Sequence, residues 1–269
     1  MLTQLTYVVY LSSHCFTVLA IIVASATADE PDASRQSQLF LDSLAWGRVC
    51  SVKSTLILQI DRVPSDGRIT IPRLNNPVKA VYFRGMPDQQ LELKALVHEW
   101  EIHFPSGRQA DSGQAIVVQL EGRPYLPKEP RVVQPSTDGR FRLAAHDAVT
   151  HGECLRYEPQ PKKNTLGYWI NPKDWAEWHI TTDRTDTYTV EVRYGCGTGQ
   201  GGSIVRLECA QQNLQWKVAA TGGFQEWREI RPGKLRLEMP GNYTVALRAV
   251  DLHHDAVMDV QQIVLTPEK

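Results

Sequence analysis

The chain lacks a surplus of either charge. Its 29 Lys and Arg residues face 30 Asp and Glu residues, a formal net charge of −1. A nearly neutral protein without a local basic patch is not held by polyanions, which argues against nucleic acid and anionic membrane surfaces as partners. The pair Lys162-Lys163 after Pro161 is too short to make such a patch. Long helical periodicity, internal repeats and low-complexity tracts are also missing, which argues against helical bundles and solenoids. Cysteine is scarce. Cys15 lies in the first segment, leaving Cys50, Cys154, Cys196 and Cys209. Four cysteines in an exported chain permit disulfides in three connectivities. Cys196 with Cys209, flanking a Gly-rich turn, is the favoured pair, and buried free thiols are the alternative.

The first segment is charge-poor as well. TYVVYLSSHCFTVLAIIVASATA, residues 6–28, contains no Asp, Glu, Lys or Arg and ends in Ala26-Thr27-Ala28 before Asp29-Glu30. It reads as a signal peptide, residues 1–28, cut after Ala28. The alternative, given its basic-free start, is an uncleaved anchor, the one reading that would bring a membrane into play. Either places the rest of the chain outside the cytoplasm, secreted or periplasmic.

What is present is β-pattern. After a polar segment, residues 29–44, short runs of β-formers recur, broken by turn signals about every 8 to 12 residues. TLILQI (55–60), the turn Pro64-Ser65-Asp66-Gly67, RITI, KAVYF, LELKAL, WEIHF and AIVVQL (115–120) predict a small sandwich over 45–122. A stretch with four prolines follows, so 123–138 reads as a stiff linker. From Gly139 on, AEWHI, YTVEVRY, SIVRLECA, LQWKV, KLRLE, YTVALRAV and QQIVL supply enough strands for a jelly roll over 139–267. The fold class is therefore all-β, two antiparallel β-sandwich domains.

Three of the seven tryptophans fall within LGYWINPKDWAEWHI (166–180). Alternation along the strand sends Ala176 and Trp178 to one face, which makes Trp178 core, and Trp175 and Glu177 to the other. Trp175 reads as edge or end packing. Tyr168 and Trp169 precede the Asn171-Pro172 turn on a loop, where sandwiches carry binding groups, although an end plug for the core is the competing reading. The same two readings hold for Phe224, and Trp227 reads as core. The acid pairs Glu99 with Glu101 and Asp174 with Glu177 read as solvated, and His253-His254-Asp255 reads as a hairpin turn rather than a metal site.

With these residues in view, the order Tyr157-Glu158, GYW-x5-W-x2-W, YTVEVRY, GCGTGQGGS, TGGFQEW, PGNYTVALRAV and MDVQQIVL resembles the jelly-roll carbohydrate-binding modules of families six and thirty-five. It is most similar to a variant appended to secreted sulfatases and fucosidases. The resemblance implies a galactose-binding-like jelly roll that holds a sugar ring between Tyr168 or Trp169 and Phe224. Glu158 and Gln225 would serve the hydroxyls. It also implies structural calcium at Glu158, Gln160 and Asp259, since hard cations take oxygen ligands. The sequence departs from that pattern at Gln160, where an acid is expected, and at Ala256-Val257-Met258, where a polar Asn is expected.

TLILQIDRVPSDGRITIPRLNNPVKAVYFRG (55–85) and WEIHFPSGRQADSGQAIVVQLEG (100–122) resemble the small C-terminal sandwich of bacterial α-L-fucosidases. In that family the catalytic carboxylates belong to a barrel of about 250 residues, and only residues 29–44 lie between the expected cleavage and Ala45. The expectation is therefore no enzyme. The first reading is a secreted accessory protein whose partner is a polysaccharide or glycan, fucosylated and sulfated chains among the candidates. A detached fucosidase tail and a docking pair of sandwiches that binds a protein remain as alternatives.

Overall fold

The computed structural model describes residues 40–105, 113–126 and 130–268. Residues 1–39, which include the expected signal peptide, lie outside the described residues. Among the described residues no helix is long and apolar enough to cross a membrane. Strand alternation builds both cores. In TLILQI, Leu56, Leu58 and Ile60 are buried while the intervening residues are not, and WAEWHITT buries Ala176, Trp178, Ile180 and Thr182 on one face.

The first sandwich comprises β1 (Phe40–Leu44), β2 (Gly47–Val52), β3 (Thr55–Ile60), β4 (Arg68–Pro72), β5 (Val78–Phe83), β6 (Glu92–Ala95), β7 (Glu99–His103) and β8 (Ala115–Leu120). One sheet runs β1-β2-β3-β8-β5 and the other β4-β7-β6, all antiparallel. They enclose Trp46, Leu56, Phe83, Trp100 and Ile102. The strand order thus starts at Phe40, inside the segment expected to be merely polar: Leu41 and Leu44 pack partly against this core.

The second sandwich comprises β9 (Val132–Val133), β10 (Phe141–Ala144), β11 (Val149–His151), β12 (Arg156–Glu158), β13 (Thr165–Gly167), β14 (Trp175–Thr182), β15 (Asp186–Cys196), β16 (Ile204–Cys209), β17 (Gln212–Lys217), β18 (Gly223–Leu237), β19 (Gly241–Asp251) and β20 (Asp259–Pro267). One sheet is β12-β13-β20-β15-β18, with β10 also on β20; the facing sheet is β11-β14-β19-β16-β17, with β9 parallel to β14. Phe141, Tyr157, Trp169, Trp178, Tyr188 and Tyr194 fill the space between them.

Two expectations change here. The Pro-rich stretch is tied down: Asn76 accepts from the Tyr125 N–H at 2.7 Å and donates to the Glu121 and Arg123 carbonyls, and Val132–Val133 pairs with β14. TGGFQEW and KLRLE also join into one strand, β18, across Pro232. A proline lacks the N–H that a central ladder needs, but β18 is an edge strand whose register slips at Val190/Val192, and the bulge absorbs it. The Gln212 side chain clips that edge, donating to the Arg236 carbonyl at 2.6 Å and accepting from its N–H at 3.0 Å.

The sandwiches meet along a polar seam. Val78 N–H donates to the Pro159 carbonyl at 2.8 Å, Gln160 Nε2 to the Leu93 carbonyl at 2.8 Å, and Arg73 to Thr150 Oγ1 at 3.1 Å. All four described cysteines are free thiols, which corrects the favoured Cys196–Cys209 bridge: Cys196 lies on β15 and Cys209 on β16, in opposite sheets.

Candidate functional site

In the register of β12 with β13, Tyr157 faces Leu166 and both side chains point into the core. Alternation then sends Arg156, Glu158 and Gly167 to the outer face. On β20, next to β13, Val260 is core and Asp259 turns outward. These rules bring two acids from opposite ends of the sandwich sequence together. A Cβ added at Gly167 would lie 2.5 Å from Glu158 Oε2 and 3.1 Å from Asp259 Oδ1, so the missing side chain is the space the two carboxyls share.

Both acids are buried, Glu158 at 4% exposure and Asp259 at 5%. Burial above all, and then the neighbouring Glu158, raise the Asp259 carboxyl to about 8, while Lys163 and the Gln225 hydrogen bond act to lower it. Asp259 therefore keeps its proton at neutral pH. Lys163 places Nζ 2.7 Å from Glu158 Oε1, and Gln225 Nε2 donates to Asp259 Oδ2 at 3.2 Å. Gln225 reaches Asp259 from β18 over Gly195 of the intervening β15. A Cβ on Gly195 would sit 2.1 Å from the Phe224 carbonyl oxygen.

Tyr168, directly after Gly167, adopts φ +57, a left-handed conformation that few residues with a Cβ take. That turn separates its ring from the neighbouring indole. Tyr168 is 44% exposed, with the Arg156 guanidinium 3.3 Å from its centroid and Lys163 Nζ at 5.8 Å. Trp169 points inward at 1% exposure and donates Nε1 to the Asp174 carbonyl at 3.0 Å. The expectation of Trp169 as a sugar platform is thus corrected, since it is the plug of the core. Phe224 is half-buried, its ring lying over Gly197, where an added Cβ would be 2.8 Å from Cε2. Trp227, expected in the core, is half-buried on the edge strand.

The calcium set does not assemble as expected. Glu158 and Asp259 converge, but Gln160 donates its Nε2 to the Leu93 carbonyl in the seam, its buried Oε1 has no partner, and neither atom is bonded to the two acids. The Lys163 ammonium already sits on Glu158, and Gln225 presents its amide N–H to Asp259. Calcium takes about 6 to 8 oxygen ligands. Among the described residues no group of three His, Cys, Asp or Glu forms a set that could hold a metal ion. The residues as arranged do not fit calcium. The apolar run before Asp259 has a structural reason: Val257 and Met258 are core, and Val257 N–H donates to the Trp169 carbonyl.

Of the other candidate acids, all expected to be solvated, Asp174 and Glu101 are buried instead, and Glu99 and Glu177 are half-buried. Asp174, 1% exposed, accepts from the N–H groups of Glu153, Cys154 and Leu155. Glu177 lies between His151 and His179 at 3.2 and 3.4 Å, and Glu101 is paired with Arg68 and His103. Trp175 is enclosed, with the His151 ring stacked 3.9 Å away and Arg248 at 3.6 Å. Two hollows of about 310 and 660 Å³ lie on the first sandwich around Trp46 and Arg62, the larger one also lined by Glu99 and Glu101. Sequence reasoning also missed Arg156, Lys163 and Gly167 at the corner. Lys163 carried a readable signal, lying five residues beyond Glu158 across a short turn.

Fold and corner together define an all-β pair of sandwiches with an exposed aromatic beside buried acids. No protein-family profile matches the chain, and no curated protein matches it. Among solved structures it is similar to an α-L-fucosidase from Vibrio sp. (16% identity, 84% of this chain and 40% of that chain, TM-score 0.36). It is also similar to the C-terminal CBM6 of a marine laminarinase from Zobellia galactanivorans (19%, 47% and 98%, TM-score 0.38). A third is a family 35 carbohydrate binding module from Clostridium thermocellum (17%, 47% and 96%, TM-score 0.39). The chain spans less than half the length of the fucosidase. With every one of these TM-scores below 0.5, the likeness adds nothing to what the sheet topology itself shows.

Proposed function

We propose that the chain is an exported, non-catalytic protein whose second sandwich binds a glycan at the Tyr168 corner. The observation that carries this reading is the posture of Tyr168: a ring 44% exposed, held in a left-handed backbone, with Arg156 against the ring. The C–H face of a pyranose matches the negative face of an aromatic ring. Its hydroxyls need polar partners, and Gln225 and Lys163 stand at the rim, with Phe224 beside Gln225. Hydrolysis would need a carboxyl pair open to substrate. Glu158 and Asp259 are each closed from solvent, which supports binding rather than cleavage.

The test is retention of the purified chain in affinity gels cast with fucosylated, sulfated and neutral polysaccharides. Tyr168→Ala should lose retention on the gel that retards the wild type, and Tyr168→Phe should keep it. A well-folded wild type retarded by no gel, or equal retention of Tyr168→Ala, would sink the proposal.

A further inference from the structure

A buried charge ordinarily comes with an opposite partner. Arg156, only 9% exposed, has none among the described residues. Its Nη1 reaches just the Cys154 carbonyl, at 3.5 Å, and its buried Nε–H meets no acceptor. The guanidinium lies instead against the Tyr168 ring, whose π face answers part of the charge. A turn brings a second cation to the same ring. Between β12 and β13 the backbone folds back at Gln160, whose carbonyl accepts from the N–H groups of both Lys163 and Asn164 at 2.9 Å. Asn164 takes φ +43 and accepts from the Tyr157 hydroxyl at 2.8 Å, which fixes the turn to the core. Lys163 Nζ thus stands 5.8 Å from the Tyr168 centroid, with a third of the lysine side chain exposed. An ammonium has three N–H donors, and the bond to Glu158 Oε1 uses one of them. Against the two cations stand one carboxylate, Glu158, and Asp259, which keeps its proton. The corner is left with a surplus of positive charge.

We propose that the sugar stacked on Tyr168 carries an anionic group, a carboxylate or a sulfate ester, held by the free N–H groups of Lys163. Arg156, unpaired against the ring, adds its charge without touching the ligand. This inference rests on the glycan reading of the corner and narrows it to acidic sugars. Such a bond is charge-assisted, and the anion relieves a cation that the fold leaves unbalanced. One surplus charge suits a single anionic group, not the dense charge of nucleic acid.

The experiment measures binding of the full chain at neutral pH in affinity gels of two matched pairs: a polyuronate with its carboxyl-reduced form, and a sulfated galactan with its desulfated form. Wild type should bind the charged member of one pair about tenfold more tightly than its neutral partner, which is what one hydrogen bond to a charged group contributes. The pair that shows the preference tells carboxylate from sulfate. Lys163→Gln should lose the preference and Lys163→Arg should keep it. Tyr168→Ala should release the charged chain although both cations remain, whereas mere ion exchange would retain it and overturn the inference. Should Lys163→Gln fail to fold, wild type in about 1 M salt decides, since screening there reaches within about 3 Å: the preference should shrink several-fold, and one indifferent to salt refutes the charged contact. Equal binding of charged and neutral members overturns this inference and leaves the glycan reading standing, while binding to no gel takes both down.

Discussion

Arg156 lays its guanidinium 3.3 Å from the centre of the Tyr168 ring, and the arginine itself is only 9% exposed. The guanidinium backs one face of a ring that is 44% exposed. Tyr168→Ala should therefore cost no more than the cation–π contact, about 0.5–1 kcal/mol. Trp169→Ala, one residue on, should cost about 3–5 kcal/mol because it empties the core. Chemical denaturation of the two variants checks this contrast, and equal destabilisation would refute it.

Asp259 makes stability depend on pH in a definite direction. Its carboxyl is raised from 3.8 to about 8, so the folded chain holds the proton more tightly than the unfolded one. The contribution is full below the ordinary carboxylate range and is lost as pH rises toward about 8. The wild-type Tm should fall across that window, and Asp259→Asn should flatten the fall. A slope unchanged in Asp259→Asn would show that another group is responsible.

Asp174 collects three backbone N–H groups in a buried loop. Asp174→Ala leaves those donors without an acceptor, and hydrogen bonds to a charged group contribute about 1.5–3 kcal/mol each. A loss of about 3 kcal/mol or more in urea unfolding is expected, and a loss under about 1 kcal/mol would refute the role of those bonds.

The thiols give a direct chemical check. Cys50 and Cys154 are half-buried and should react first with a thiol reagent. Cys196 and Cys209 are buried, the latter with its thiol pushed up to about 11 by burial, and should react only on unfolding. Reductant should leave the Tm unchanged. A reductant-sensitive Tm would point to a bridge.

The sequence made the sheets legible because alternation is a local property: Trp178, Ile180 and Val190 are core for the same reason that their neighbours are not. Tyr168 and Gln225 were legible as corner residues through the resemblance. What escaped depends on geometry that no local pattern encodes. Trp169 turns inward because Tyr168 adopts a left-handed conformation, and a Tyr there carries no mark in the sequence. Glu158 and Asp259 lie a hundred residues apart and meet only through the order β12-β13-β20. Lys163 became a partner of Glu158 through a turn anchored at Tyr157 and Leu93, contacts that span both sandwiches.

The edge of β18 has a consequence for how the protein behaves when crowded. A 15-residue border strand is a template on which a second chain can add its own strand, the first step of ordered aggregation. Here the template is interrupted three times. Pro232 offers no N–H, Gln212 fills the hydrogen-bonding positions of Arg236, and Arg228, Glu229 and Arg231 face solvent with opposed charge. The long border is thereby a poorer template for a copy of itself than its length alone would make it.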